Sequence, residues 1–533
     1  LVVAALMRFA PIRAGWPYSD YIDEGFVLHQ VIDQLNTRSL NCRWYGYPTL
    51  PSFLVTGSMI VSNPIYRLAH GHGFRRDLPR DKHRYSADRV EYDLISPPEL
   101  ILVGRIVIAL ISLGTVAVAG LLARELGGAV AGAMAMLLTA VSPALVSRSS
   151  NVIVDSVAAF FAIVSLYVAA RLRFSGSEPD RRARRYAGLG GLAAGLAVSS
   201  KYTAGAVFAA LLICCVTAGA TWQQRMSFVA VASGSLLLAA LCTTPAFIFH
   251  PDLIVRDMQR TGMLYKTLHL PPDYWPAALT QHELGIPLVV AGFGGILLML
   301  RGQSTRLIAL SWIVFAILLL APLVGFRFQP FRNLLPLVPP FCVAAALLFT
   351  SLQNVRGGWR WGHWGLLATG TLLAASAGQT SVGYVRDRLS RVDTRISAID
   401  WLQRETQPMD SIVALRELAI TPAEWKRLAR QVKIIPWTKA RETLRQERLH
   451  YFVGTEMNLQ HTVEPDWPPY LDAWKRDVSA LPVVASFGTV PNPVYPFLWR
   501  TNDQRIIIWK KADIPLAAAP WRESLRLDAT GIP

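Results

Sequence analysis

The chain has 533 residues, 52% of them hydrophobic and only 17% charged, with a mean hydropathy of +0.32. A soluble chain carries roughly a quarter charged residues, so a soluble globule is excluded. The net charge of +17 would suit a nucleic-acid partner. Here the basic residues lie in short loops between apolar runs, with no soluble face around them, and no nucleic-acid partner is expected.

The chain opens on Leu1, and Leu1–Leu6 reads as the end of an apolar helix whose beginning precedes it. A cleaved signal peptide fits less well, because no small-residue cleavage site follows. Residues 11–98 are polar and aromatic and hold no full span; they read as a long loop with membrane-surface helices. Apolar stretches then follow near 104–123, 128–147, 152–172, 186–200, 203–220, 226–248, 283–300, 307–326, 333–352 and 364–383. Runs of about 20 apolar residues cross a bilayer core of about 30 Å. The stretch at 186–200 is short and holds Gly188, Gly190, Gly191 and Gly195, small residues that let helices approach closely.

Arginines orient such a chain, since short cytoplasmic loops collect them. With the loop 173–185 inside, Arg124, Arg225, Arg301, Arg306, Arg356 and Arg360 fall inside as well. The long segments 11–98 and 249–282 and the tail from about 384 then lie outside. The tail is rich in charge, tryptophan and proline. Short strand-like runs (Ser411–Leu415, Val483–Phe487, Arg505–Trp509) alternate with helix-like stretches (Thr394–Glu405, Thr421–Gln431). The expectation is an all-α polytopic membrane protein of about eleven spans in a cell membrane. A membrane domain covers 1–383 and a small extracytoplasmic α/β or α+β domain covers 384–533. Cys214, Cys215, Cys242 and Cys342 fall in apolar spans and Cys42 stands alone, so no disulfide or zinc pattern emerges.

Polar groups at membrane depth are costly and are functional candidates by default. The alternation gathers them on one face: Asp23 and Glu24 in the first outer loop, Arg105 at the start of the second span, and Asp155 at the start of the fourth. Lys201 and Tyr202 end the fifth, and Arg327 and Arg332 end the ninth. Taken singly, each has a plain reading. An Asp at a helix start favours the dipole, and an Arg near a span end snorkels to head groups. Taken together, the cations suit a lipid-linked phosphate, and a carboxylate facing them suits a general base for an acceptor hydroxyl. A divalent ion on the carboxylate oxygens is possible chemistry, but no ligand spacing demands one.

Over residues 16–350 the chain resembles the polyprenyl-phosphate-dependent glycosyltransferases of the GT-C class. These include the protein O-mannosyltransferases, the aminoarabinose transferases that modify lipid A, and RgtA-like bacterial relatives in glycosyltransferase family 39. The resemblance is carried by Tyr21-Ile22-Asp23-Glu24, Tyr47-Pro48-Thr49-Leu50, Glu99 through Arg105, Ser149 to Asp155, and Gly195-Leu196 through Lys201-Tyr202. Arg332-Asn333-Leu334-Leu335-Pro336 resembles an Arg-Tyr-x-x-Pro element, with Asn333 in place of the aromatic. The resemblance implies a GT-C fold and sugar transfer from a polyprenyl-phosphate donor to an envelope glycan, lipid or protein at the outer face. It implies Asp23 as the catalytic carboxylate beside Glu24. It implies Arg105, Lys201, Arg327 and Arg332 at the donor phosphate, and Asp155, Tyr202 and Tyr47 at substrate. A flippase of lipid-linked saccharides is the competing reading, but such transporters usually show related halves and broken mid-membrane helices; no such repeat is found here, and the polar groups cluster at one face. A non-catalytic membrane scaffold is the third.

Overall fold

The computed structural model describes residues 1–19, 22–40, 42, 44–79, 95–175, 180–267, 284–324, 331–351, 360–390, 392–415, 418, 420, 422–428, 431–435, 442–444, 449–455, 481–487 and 506–510. These residues fall into two compact units, divided between Val392 and Asp393.

The first unit is helical. It comprises α1 (Val2–Phe9), α2 (Ile22–Thr37), α3 (Leu50–His70), α4 (Glu99–Val141), α5 (Pro143–Arg148), α6 (Val154–Phe174), α7 (Asp180–Val198), α8 (Val207–Ala218), α9 (Trp222–Thr243), α10 (Ala246–Phe249) and α11 (Pro251–Thr267). Four more follow: α12 (Ile286–Arg301), α13 (Arg306–Val324), α14 (Val338–Thr350) and α15 (Arg360–Ser390). Each expected apolar stretch is helical over most of its length. By length and composition alone, five helical segments among the described residues are apolar enough to cross a membrane: α4, α6, α9, most of α13, and Phe331–Thr350. Tyr202–Ala218 and α12 are shorter apolar helices.

The 43-residue α4 is two helices joined at a kink. Gly128 has φ +85° inside it, a left-handed conformation that glycine adopts without steric cost. The arms pack closely where Gly120 and Gly132 meet, since a Cβ on Gly132 would lie 2.9 Å from the Gly120 carbonyl oxygen. The glycines of α7 serve similar contact. A Cβ at Gly191 would stand 2.1 Å from the Ala232 carbonyl oxygen of α9, so backbone meets backbone there, as small residues permit between membrane helices.

The described part of residues 11–98 holds two long helices, α2 and α3. The apolar side of α2 (Val27, Leu28, Val31, Leu35) packs with Val55 and Met59 of α3 and with Leu100, Ile101 and Ile108 of α4. On α3, Ile60, Val61, Ile65 and Leu68 are exposed. At that spacing they form one helical stripe, as on a helix lying at a membrane surface.

The second unit is small and mixed. It contains α16 (Thr394–Glu405), α17 (Pro422–Arg427) and strands β1 (Ser411–Leu415), β2 (Gln431–Ile435), β3 (Tyr451–Thr455), β4 (Val483–Phe487) and β5 (Ile506–Lys510). The sheet order is β2-β1-β3-β5-β4, with β1 parallel to β2 and β3, and β5 antiparallel to β3 and β4. The inner strands β1 and β5 read as near-continuous buried runs and the edges β2 and β4 are largely exposed, as expected where inner strands are covered on both faces. Asp393 caps α16 and grips Arg395 through both carboxylate oxygens, at 2.9 and 2.7 Å.

Candidate active site

The first turn of α2 carries Asp23 and Glu24, where the helix dipole favours carboxylates. Adjacent helical residues diverge by about 100°, so the two acids face different surroundings. Asp23 is ion-paired with Arg332, and its Oδ1 accepts a hydrogen bond from the Tyr47 hydroxyl at 3.2 Å. Glu24 turns to Arg105, whose Nε and Nη2 donate to its two oxygens at 2.8 and 2.7 Å.

A second ion pair joins Asp155, at the start of α6, to Lys201. Lys201 is extended (φ −154°, ψ 123°) between the end of α7 and a 3₁₀ turn at Tyr202–Ala206. It also donates to Asn333 Oδ1 at 2.7 Å. Arg332 and Asn333 are consecutive residues of the 3₁₀ segment Phe331–Leu337. One therefore holds Asp23 and the other contacts the cation that holds Asp155, so a single short segment ties both carboxylate–cation pairs into one cluster. Asp23, Asp155, Arg332 and Asn333 are all buried, and Lys201 is nearly so. Burial raises the Asp23 carboxyl above the ordinary carboxylate range; Arg332, Tyr47 and Lys201 pull it down, and Asp155 adds to the rise.

Two of the expected residues are paired with each other. Arg105, expected at the donor phosphate, is fully enclosed: besides Glu24, its Nη1 donates to the carbonyls of Ile12 and Ala14 at 3.0 and 2.6 Å. Glu24, expected beside Asp23 in catalysis, is equally enclosed and also accepts from the Val152 amide at 2.9 Å. With their charges spent on each other and on backbone, the two form an internal strut, because a buried charge must be paired. Tyr202, expected at substrate, donates to the Tyr45 carbonyl at 2.9 Å and so anchors the first loop. Tyr47 contacts Asp23 directly. Arg327 lies outside the described residues.

Several further residues support the cluster without any mark in the sequence. Arg388, near the end of α15, is buried and its Nη1 donates to Ser150 Oγ at 2.7 Å and Asn151 Oδ1 at 3.0 Å, with Tyr384 bonded to the Ser147 carbonyl at 2.9 Å. This ties α15 to the turn that enters α6 and carries Asp155. Arg388 lies beyond the hydropathy boundary at 383, where it reads as an ordinary charge of the tail. Trp44 stacks on Phe26 with ring centroids 5.0 Å apart, and Tyr47 meets both rings edge-on. Gln30 holds this loop through the Trp44 and Tyr47 carbonyls, at 3.0 and 3.1 Å. Among the described residues, no group of three or more His, Cys, Asp or Glu side chains is arranged to hold a metal ion.

The model of the dolichyl-phosphate-mannose-protein mannosyltransferase family matches residues 101–248, from α4 through α10. Among solved structures, ArnT from Cupriavidus metallidurans bound to undecaprenyl phosphate superposes with a TM-score of 0.54 at 13% identity, over 95% of this chain and 96% of that one. This is a GT-C fold. The apo state of the same ArnT gives a TM-score of 0.52 at 12% identity over the same shares. The archaeal oligosaccharyltransferase AglB from Archaeoglobus fulgidus, in complex with an inhibitory peptide and a dolichol-phosphate, gives 0.47 at 12% identity over 86% of this chain and 68% of that one. No curated protein matches the chain. The chain is thus a multi-pass membrane protein of GT-C fold, and through its matched segment it is related to glycosyltransferases.

Proposed function

We propose that this protein transfers a sugar from a polyprenyl-phosphate donor to an envelope lipid, glycan or protein, at the outer face of the membrane. The observation that supports this most directly is the cluster joined by Arg332 and Asn333. Two buried carboxylates and two cations meet there, at the membrane-domain site where a lipid phosphate and a hydroxyl acceptor would need them.

In this reading Asp23 is the base. The acceptor oxygen attacks the anomeric carbon while its proton passes to the Asp23 carboxylate. The bond from that carbon to the phosphate oxygen breaks, and its electron pair leaves on the polyprenyl phosphate. The configuration at the anomeric carbon inverts. The leaving group is already an anion, so it needs charge stabilisation more than a proton. Lys201 and Arg332 supply it, with Arg327 a further candidate. Tyr47 orients Asp23, and Asp155 holds the Lys201 ammonium in place. Glu24 and Arg105 set the direction of α2, and through it the position of Asp23. The second unit, beginning at Asp393 and not near 384, is assigned to the outer side.

The test is mass spectrometry of envelope glycans, lipids and glycoproteins with and without the gene. A sugar missing in its absence and restored by the wild-type chain supports the reading. Identical profiles argue against it.

A further inference from the structure

Asn333 is 3% exposed, and its amide Nδ2 is buried with no hydrogen-bond partner among the described residues. The orientation of this amide is decided by its neighbour. A lysine ammonium only donates, so the atom 2.7 Å from Lys201 Nζ must be the amide oxygen, and the nitrogen must point elsewhere. A buried donor left unmade is costly, and native structures rarely keep one without reason. This one belongs to the residue between the two carboxylate–cation pairs, following Arg332 and touching Lys201. Lys201 itself carries three N–H donors, of which Asp155 and Asn333 take two. The Asn333 amide N–H and the third N–H of Lys201 lie on two touching residues next to Arg332, an arrangement suited to an oxygen acceptor of negative charge.

We propose that the Asn333 amide N–H, with the remaining Lys201 N–H, binds a phosphate oxygen of the polyprenyl-phosphate donor. Asn333 is then a specificity-determining residue for the lipid phosphate. This rests on the proposed function and extends it to Asn333. The neutral amide is suited to the task. Its oxygen holds Lys201 without neutralising it, and its nitrogen adds a donor without adding charge.

The experiment measures binding of undecaprenyl phosphate, which bears no sugar, to the full chain in nanodiscs. The proteins are wild type, Asn333→Asp and Asn333→Leu, each checked for folding by thermal unfolding. The aspartate keeps an acceptor for Lys201, and the leucine keeps neutrality; the one loss common to both is the amide N–H. Each variant should bind about tenfold or more weaker, the value of a hydrogen bond to a charged group, with inorganic phosphate competing only weakly. Wild-type affinity in either folded variant overturns the assignment. Unchanged binding of the carrier together with a raised KM for the sugar-bearing donor also overturns it, because the amide then meets the sugar. Inorganic phosphate competing as strongly as the lipid moves the site from a lipid phosphate to a free one and overturns it too. No binding by the wild type removes the proposed function itself, an outcome separate from the others.

Discussion

Glu24 receives both Nε and Nη2 of Arg105, at 2.8 and 2.7 Å, with both side chains wholly removed from solvent. The pair links four pieces of chain: the start of α2, the first turns of α4, and, through the Ile12 and Ala14 carbonyls and the Val152 amide, the segments before α2 and α6. Breaking one partner of a buried pair leaves an uncompensated charge, typically costing about 3–5 kcal/mol. Glu24→Ala and Arg105→Ala should therefore unfold at markedly lower temperature in detergent. Their donor KM should change little in whatever fraction remains folded. Normal thermal stability with a selectively raised donor KM in Arg105→Ala would return Arg105 to the phosphate.

Asp23 carries a pH prediction. Burial raises its carboxyl above the ordinary range, and a base acts only when deprotonated. As pH falls through the raised value, Asp23 takes up a proton and transfer stops. The acid limb of kcat/KM should therefore lie at higher pH than an ordinary aspartate would give. Tyr47 donates to the charged form and lowers the Asp23 value, so Tyr47→Phe should move that limb further upward. A limb at ordinary carboxylate pH, unmoved by Tyr47→Phe, would contradict the assignment.

Lys201 should act on donor use. Lys201→Met keeps the length of the side chain and removes its charge. Loss of a charge-assisted hydrogen bond is worth about 1.5–3 kcal/mol, so the donor KM should rise about tenfold or more. The acceptor KM should move much less. Equal effects on both would make Lys201 only a partner for Asp155.

Sidedness is open to a direct check. The arginine alternation assigns the second unit to the outer side. A reporter active only outside, fused after Arg386, should be active, while one fused in the loop 173–185 should be silent. Activity in the reverse pattern would place the carboxylates on the cytoplasmic face and exclude the proposed donor geometry.

The helical membrane domain and the sheet-bearing tail were legible because hydropathy and strand patterning are local properties. Ser411–Leu415, Val483–Phe487 and Thr394–Glu405 read as they fold. The grouping of Asp23, Asp155, Lys201 and Arg332 was legible from span alternation, which sorts residues by face. Partner choice was not. Asp23 and Glu24 are indistinguishable in sequence, and only the angular step of a helix sends one to Arg332 and the other to Arg105. Arg388 was hidden for another reason: α15 continues past its apolar stretch to Ser390, so a buried cation looks like the start of a polar tail.

Whether Asp23 is the base of an inverting transfer is decided by transfer with purified Asp23→Asn protein. The donor is a polyprenyl-phosphate sugar, the acceptor is the one identified by the envelope comparison, and donor binding is measured separately. The asparagine keeps size and hydrogen bonding but lacks a basic oxygen. General-base help is worth about 10²–10⁴ in rate, so transfer should fall by that factor or more with donor binding retained, and the wild-type product should have inverted anomeric configuration. Full activity in Asp23→Asn would exclude Asp23 as the base, and a retained configuration in the wild-type product would exclude single displacement.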